Sequence, residues 1–212
     1  SSVQELYELT VEAFNISDRY RILTMILGDG VIGQMMEAVE FRDEENIVHV
    51  DKDWAVTGTQ MKRESNDITS IYINPEVLEK HNLKLQAKYR KIEENEVRVE
   101  TCNCEDADII VCAYGTVARI VKSVIKLAER EGIKVGLIRP ITLWPFPVCA
   151  FDRYAEVPKA FLTVELSAGQ MVEDVRLAVN GRKPVHFYGR MGGMIPTQKE
   201  ILDKIKSILE KD

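Results

Sequence analysis

The sequence predicts an α/β fold with a doubly wound, mostly parallel sheet, preceded by a smaller unit of a different kind. From residue 108 onward, an apolar strand followed by a helical stripe repeats four times. These strands are apolar throughout, which is typical of parallel strands that helices cover on both faces. With 212 residues, of which 45% are apolar and 29% charged, the chain is long enough for one such domain and part of a second.

The first unit, residues 1–40, is predicted to hold one helix and one strand. Ser2 and Glu5 have the spacing of a capping box at the start of a helical stripe. Residues 22–27 form a buried-strand candidate that is closed by Gly28 and Gly30. One helix and one strand cannot cover both faces of a sheet, so we expect this unit to be the truncated end of a larger domain.

The second unit, residues 41–105, is predicted to be a connector that carries one amphipathic helix. It is charged and has few long apolar runs. Pro75 suits the first position of a helix, because proline lacks an amide hydrogen that this position does not need. The stripe that follows at spacings of three and four consists of Leu78, His81, Leu85, Tyr89 and Ile92.

The third unit, residues 106–212, is predicted to be the self-sufficient α/β domain. Its strands are expected at 109–114, 135–139, 161–166 and 185–188. The first helix is expected to have Thr116 as its N-cap and to end at Gly132. The last helix is expected to begin with a second capping box, formed by Thr197 and Glu200.

Charge and hydropathy exclude several classes of function. Residues 1–100 hold 12 basic and 20 acidic residues, a net charge of −8, whereas residues 101–212 hold 16 and 14, a net charge of +2. Without a cluster of cations, binding to duplex nucleic acid or to an anionic membrane is not expected. No apolar run is long enough to span a bilayer, and no signal peptide is visible, so we expect a cytoplasmic protein.

The segment Gly28-Asp29-Gly30-Val31-Ile32-Gly33 is a GxGxxG motif directly after a strand candidate. In a dinucleotide-binding fold, these glycines let the backbone approach a pyrophosphate, and an acidic residue about 20 positions later binds ribose. A strand at 47–51 that ends in Asp51 would supply that acid. The intervening helix, at 34–41, is short for a crossover, so a plain glycine turn remains the alternative.

Metal binding and nucleophilic catalysis have little support in the sequence. Cys102 and Cys104 are two residues apart, but a metal or iron–sulfur site needs four ligands. Cys112 and Cys149 fall in apolar stretches, where a thiol is usually a small buried hydrophobe. The histidines have no serine or cysteine partner in a catalytic motif; they are His49, His81 and His186.

Two loops are candidate contact surfaces. Arg190, Gly192 and Gly193 lie between the last strand and the last helix, where glycine amides and a cation suit an anion. The alternative is a loop at a subunit contact. Trp144 lies in a second loop with two prolines, and its exposure would indicate an interface.

Several segments together resemble a known family. They are GDG at 28–30, GQMME at 33–37, WAVTG at 54–58, AYGTVAR at 113–119, RPITLWPFP at 139–147 and GRMGG at 189–193. The chain resembles the α subunit of 2-oxoacid:ferredoxin oxidoreductases, in particular the 2-oxoisovalerate (branched-chain) type. The likeness covers essentially the whole sequence.

The resemblance implies that a 2-oxoacid and coenzyme A give acyl-CoA and CO₂, with electrons passing to ferredoxin. It implies thiamine diphosphate with magnesium, and iron–sulfur clusters, in the whole complex, with none of them bound by this chain alone. Residues 1–40 would be the end of the thiamine pyrimidine-binding domain, and residues 106–212 a transketolase C-terminal-like domain. The partners would be the β subunit, other subunits, ferredoxin and a second copy of the chain.

The same resemblance assigns no catalytic residue to the sequence, because the family's thiamine-activating glutamate would precede Ser1. The GDG turn becomes the exit of the pyrimidine domain, with Asp29, Gly30 and Gln34 as weak candidates for cofactor contacts. We therefore expect a fragment that is inactive alone. The alternatives are a non-catalytic assembly and dimerisation module and, third, an NAD-binding domain.

Overall fold

The computed structural model describes residues 1–41 and 50–210. Seven helices and five strands lie in these ranges. The helices are α1 (Val3–Tyr20), α2 (Gly30–Gln34), α3 (Pro75–Asn95), α4 (Gly115–Glu129), α5 (Val148–Tyr154), α6 (Met171–Val179) and α7 (Gln198–Leu209). The strands are β1 (Val99–Cys102), β2 (Ile109–Cys112), β3 (Val135–Pro140), β4 (Ala160–Glu165) and β5 (Val185–Gly189). Among these described helices, none has the length and apolar character that crossing a membrane requires.

The strands form one mixed sheet in the order β1-β3-β2-β4-β5. Strands β3, β2, β4 and β5 are parallel, as the sequence predicts, and β1 runs antiparallel to β3 at the edge. The four predicted strands are confirmed to within one or two residues. The sequence analysis missed β1, because a four-residue strand with a charged residue at its second position leaves too short a pattern.

Helices cover the sheet on both faces. On one face, α4 and α7 pack over β2, β3 and β4, with Val121, Leu162 and Ile201 among the fully buried residues. On the other face, α5 and α6 pack around Phe151, Phe161 and Val175. This two-sided core confirms the doubly wound α/β domain.

The strand predicted at 22–27 is wrong. Residues 22–29 are extended but belong to no strand. Leu23, Met25 and Leu27 are 83%, 71% and 62% exposed, respectively. A strand exists only where a neighbour takes up its backbone hydrogen bonds, and no other strand among the described residues lies beside this segment.

Two helix starts differ from the predictions in detail. At α1, Ser2 accepts a hydrogen bond from the Glu5 amide at 3.2 Å, but the Glu5 carboxylate binds elsewhere, so only half of the capping box forms. At α4, the N-cap is Tyr114 and not Thr116: the helix begins at Gly115, and the Thr116 hydroxyl donates to Asp29 instead of capping the helix. The capping box of Thr197 and Glu200 at α7 forms completely.

The connector contains the predicted helix. α3 begins at Pro75 with Asn74 as its N-cap, and its last turns are anchored by the buried Ile92. Tyr89, in the same half, packs edge-on against Trp144 with the ring centroids 5.7 Å apart. The strand considered at 47–51 falls largely outside the described residues.

Candidate functional site

The carboxyl ends of β2 and β4 lie side by side, and the helices that follow them lead to opposite faces of the sheet. In open α/β sheets, such a switch point is where ligands bind, because helix N-termini with unpaired amides meet there. In this chain, residues 28–35 lie at this point, and α2 packs against α4. The candidate cofactor contacts Asp29, Gly30 and Gln34 therefore lie near the carboxyl edge of the sheet.

Asp29 binds two helix N-termini with one carboxylate. Its Oδ1 accepts hydrogen bonds from the amides of Val31 and Ile32, at 3.1 and 3.0 Å, and from the Thr116 hydroxyl at 2.8 Å. Its Oδ2 accepts from the Thr116 amide at 2.9 Å. Burial by itself would raise the pKa of Asp29, but these hydrogen bonds outweigh it and lower that pKa below its usual value. Asp29 is thus held as a carboxylate at the N-terminus of α4.

Glu165 plays the same role for α6. This side chain is only 2% exposed, and its oxygens accept from the amides of Gln170, Met171 and Val172 at 3.1, 3.0 and 2.9 Å. The Ser167 hydroxyl donates a further bond at 3.0 Å. The N-terminus of the second helix at the switch point is therefore also occupied by a carboxylate from the chain itself.

Glu200 is the carboxylate at the N-terminus of α7, and it also forms an ion pair with Arg190. Its Oε2 accepts from the Thr197 amide and hydroxyl at 2.7 and 2.9 Å, while its Oε1 accepts from Arg190 Nη1 at 2.7 Å. Arg190 is therefore part of an internal ion pair and not a bare loop residue. The neighbouring Gly192 and Gly193 are exposed and have φ values of +67° and +87°, which suit glycine alone.

The GxGxxG motif does not have the geometry of a dinucleotide site. A Cβ atom on Gly30 or on Gly33 would meet nothing within 4 Å, so neither glycine is needed for a close approach. The helix that follows has only five residues, and the adjacent N-terminus of α4 is filled by Asp29. The glycine-turn interpretation fits this structure better than the NAD-binding one.

A cleft of about 460 Å³ lies between α1, the extended segment 22–29 and the loop 139–145. Its wall is mostly apolar and includes Leu6, Leu9 and Ile16 of α1. Trp144, one of the predicted contact residues, lies at its rim and is 54% exposed. The cleft offers an open, mostly apolar surface to another segment or molecule.

Arg139 and Glu5 form a buried ion pair in this cleft. Arg139 Nη2 and Nη1 donate to Glu5 Oε1 and Oε2 at 2.7 and 2.9 Å, and Arg139 Nε donates to Glu100 at 2.7 Å. Burial by itself would raise the pKa of Glu5, but hydrogen bonds and positive charge from Arg139 and from the Ser1 amino group lower it to about 2. This bidentate pair explains why Glu5 does not complete the capping box.

A second ion-pair group holds the other end of α1. Arg98 Nη2 binds Glu12 Oε1 at 2.7 Å, and Arg19 Nη1 binds Glu96 Oε1 at 2.8 Å. The Glu96 side chain is almost fully buried, with 4% exposure. The two groups together tie α1 at three points to the end of β3 and to the residues between α3 and β1.

A groove of about 520 Å³ lies beyond α2, and its lining includes Met35, Met191 and Met194. It brings together Gly30 and Gln34 of the N-terminal unit with Gly193 of the last loop. Methionine side chains adapt to irregular apolar surfaces, so this methionine groove is suited to contact with another protein segment.

The cysteines and histidines do not assemble into a site. Cys104 is buried, which raises its pKa to about 11, and its thiol donates to backbone carbonyls. Cys112 is buried as expected, but Cys149 is exposed, because it lies on the outer face of the short helix α5. His49 is outside the described residues, His81 stacks on Tyr72, and His186 belongs to β5. Over residues 1–41 and 50–210, no group of three or more His, Cys, Asp or Glu side chains could hold a metal ion.

Two family models match the chain in succession. Residues 1–101 match the model described as "Pyruvate flavodoxin/ferredoxin oxidoreductase, thiamine diP-bdg". Residues 107–201 match "Pyruvate:ferredoxin oxidoreductase core domain II". The first match ends within β1, and the second begins two residues before β2.

Curated relatives agree with these matches. The ketoisovalerate oxidoreductase subunit VorB of Methanothermobacter thermautotrophicus is 43% identical over 208 residues, which cover 98% of this chain and 58% of that protein. The 2-oxoglutarate synthase subunit KorA of Methanothermobacter marburgensis is 32% identical, over 97% of this chain and 61% of that protein. The chain thus spans less than two thirds of the length of either relative.

A solved structure shares the fold. It is the 2-oxoglutarate:ferredoxin oxidoreductase from Magnetococcus marinus with 2-oxoglutarate, coenzyme A and succinyl-CoA bound. The TM-score is 0.57 at 23% sequence identity, over 65% of this chain and 24% of that one.

The ion pair of Arg139 and Glu5 predicts a specific acid sensitivity. Because the folded-state pKa of Glu5 is depressed to about 2 from 4.5, this pair contributes stability that is complete above about pH 4.5 and is lost as the pH falls toward 2. Glu5→Gln should lower the free energy of unfolding at neutral pH and flatten its decline over that pH window. Urea titrations at a series of pH values measure both effects.

Glu8→Gln is the matched control, since Glu8 lies on the same helix and its carboxylate accepts a hydrogen bond from the neutral Gln4 side chain. Its stability curve should follow that of the unmodified chain. If the free energy of unfolding changed with pH in parallel for Glu5→Gln and the unmodified chain, the ion pair would not stabilise the fold.

Proposed function

Because the chain belongs to the 2-oxoacid:ferredoxin oxidoreductase family, we propose that it is part of the α subunit of such an enzyme. In the proposed reaction, the bond between the carboxylate and the carbonyl carbon of a 2-oxoacid breaks and releases CO₂. The acyl group then forms a thioester with coenzyme A. One proton and two electrons remain, and the electrons pass through iron–sulfur clusters of the complex to ferredoxin.

The observation that carries this proposal is the succession of the two family matches along one chain. A thiamine diphosphate-binding match is followed by a core-domain match, both models describe ferredoxin oxidoreductases, and together they cover most of the sequence. The 43% identity to a ketoisovalerate oxidoreductase subunit supports the same conclusion.

We propose the domain division that the sequence suggests. Residues 1–40 are the end of a pyrimidine-binding domain, residues 41–105 a connector and residues 106–212 the transketolase C-terminal-like domain. The extended segment 22–29 supports this division, since it exposes the apolar side chains of Leu23, Met25, Ile26 and Leu27, and no neighbouring element in the described part of the chain buries them. The rest of the pyrimidine-binding domain would cover this segment and the apolar cleft beside it.

Thiamine diphosphate supplies the carbanion chemistry of this family when it is bound. The described residues do not fit the cofactor. The helix N-termini that could receive a diphosphate are filled by Asp29 and Glu165, and Glu5 is held ionised by Arg139. We therefore assign the cofactor's main contacts to other parts of the enzyme, with Gly30 and Gln34 still open as peripheral contacts.

The role we assign to the α/β domain is assembly. Carboxylates of the chain fill the N-termini of α4, α6 and α7 at the edge where doubly wound domains normally bind ligands, which leaves the exposed loops of this domain for protein contacts. Trp144, Gly192, Gly193 and Arg190 lie in those loops, and we propose that they contact a second copy of the chain or another subunit. A purely non-catalytic assembly module remains the alternative function.

The complete enzyme should prefer a branched-chain 2-oxoacid. Ferredoxin reduction by the assembled complex, measured with coenzyme A present, should give a kcat/KM for 2-oxoisovalerate about ten-fold or more above that for pyruvate or 2-oxoglutarate. Pyruvate lacks two methyl groups of 2-oxoisovalerate, and 2-oxoglutarate would bring a second carboxylate into an apolar pocket; both differences have effects of at least this size. Faster turnover of either competitor would contradict the branched-chain assignment.

Arg190→Ala should weaken association and hardly affect the fold. Its ion pair with Glu200 is partly exposed, and such pairs contribute only about 0–1 kcal/mol to stability. Sedimentation velocity should show weaker self-association or weaker binding of the β subunit, while the melting temperature changes little. Lys206→Ala is the control, since it removes the similarly exposed pair with Glu131. If Arg190→Ala lowered the melting temperature and left association unchanged, Arg190 would only stabilise the fold through its pair with Glu200, and the predicted contact with another chain would be wrong.

A further inference from the structure

We infer that Asp29 is a positioning residue. It holds the part of the chain with the thiamine-binding match, residues 1–101, in place against the part with the core domain II match, residues 107–201. This inference rests on the proposed function. Three carboxylates bind helix N-termini at the carboxyl edge of the sheet, those of Asp29, Glu165 and Glu200. Of these three, only Asp29 belongs to the N-terminal unit, and it lies 87 residues before its partner Thr116. It takes the place that an external anion takes in other α/β folds, so the N-terminal unit itself acts as the ligand of the core domain.

The contact is selective for a carboxylate at this position. Both oxygens are used, one by three donors and the other by the Thr116 amide. Gly115 makes this approach possible, because a Cβ atom there would lie 2.7 Å from Asp29 Oδ2. The φ of +59° at Gly115 also favours glycine, so two separate features of the chain accommodate the Asp29 carboxylate.

A second carboxylate fixes the other end of the same segment. Glu37 Oε1 accepts from Arg119 Nη1 at 2.5 Å, and Glu37 Oε2 accepts from the Val3 amide at 2.9 Å. Arg119 also donates to the Met35 sulfur at 3.3 Å. Segment 29–37 therefore connects the first turn of α1 to α4, and it is held at both of its ends.

Displacement of segment 29–37 would also displace α1, which belongs to the part of the chain with the thiamine-binding match. Asp29 lines the same cleft as α1, and Glu37 caps the first turn of α1. Without Asp29, α1 would remain tied to Arg139 and Arg98, but residues 29–34 would lose their hydrogen bonds to α4. Among the described residues, only the contacts of Arg119 with Met35 and Glu37 would then hold the segment to α4. The expected consequence is a thiamine-binding domain that is folded but misplaced relative to the core domain.

The test uses the full-length chain in the assembled enzyme, with Asp29→Ala, Asp29→Asn, Thr116→Val and Thr116→Ser. Asn can still cap α2 through its oxygen, but its amide group cannot accept the hydrogen bond from the Thr116 amide. Hydrogen exchange by mass spectrometry reports on residues 28–37, and the half-saturating concentration of thiamine diphosphate is measured separately from the KM for coenzyme A. Asp106→Ala is the control, since it removes an aspartate that pairs with Lys134 at the opposite edge of the sheet.

Asp29→Ala should accelerate exchange in residues 28–37 and raise the half-saturating concentration of thiamine diphosphate, each by about ten-fold or more, because a charge-assisted contact to two helices is lost. The KM for coenzyme A should stay unchanged. Asp29→Asn and Thr116→Val should have smaller effects, and Thr116→Ser should behave as the unmodified enzyme. Added acetate should partly restore Asp29→Ala by occupying the vacated place.

Unchanged exchange in Asp29→Ala would overturn the inference. Faster exchange with unchanged thiamine diphosphate saturation in an active enzyme would overturn it as well, because Asp29 would then only stabilise a loop. If the unmodified complex oxidises no 2-oxoacid, the proposed function fails. The exchange measurement needs no turnover, and it still decides whether Asp29 holds the segment.

Discussion

Helix N-termini gather at the carboxyl edge of a parallel sheet, and their unpaired amides need acceptors. This chain meets that requirement with its own carboxylates: Glu165 for α6, Glu200 for α7 and Asp29 for α4. The first two are local to the α/β domain. The third, Asp29, comes from the N-terminal unit. The need of α4 for an acceptor at its N-terminus therefore also determines where the N-terminal unit lies.

Arg139 provides the complementary constraint on the other side of the cleft. It is a buried cation at the end of β3, and its partners Glu5 and Glu100 belong to α1 and β1. A buried charge without a partner is strongly unfavourable, so α1 must stay close to the sheet once Arg139 is placed there. Asp29 and Arg139 therefore hold the N-terminal unit from both sides and leave an apolar cleft between them.

The sequence predicts the parallel strands and several helices of the chain because their signals are local. The apolar stripe of α4, the proline at the start of α3 and the capping box of α7 each need only neighbouring residues. Segment 22–27 has the pattern of a strand, but a strand also needs neighbours, which the described residues do not supply. The apolar pattern therefore predicts an extended backbone correctly, but it does not determine whether that backbone pairs with a neighbouring strand.

The candidate site depends on contacts that sequence patterns do not encode. Asp29 and Thr116 are 87 residues apart, and Glu5 and Arg139 are 134 apart, so neither pair could be found from spacing. Arg190 and Glu200 are only ten residues apart and flank a short loop, and this pairing could have been anticipated. The function followed from the family resemblance, because the described residues do not form the catalytic centre.

The most direct measurement is equilibrium binding of thiamine diphosphate with magnesium, by calorimetry, to this chain alone and to the complex of the full-length subunits. If the chain contributes only one part of a shared cofactor site, the complex should bind the cofactor saturably and the chain alone should show no measurable binding. Equal affinity in the two samples would contradict the division of the site between chains. No binding to the complex would contradict the thiamine-dependent function itself.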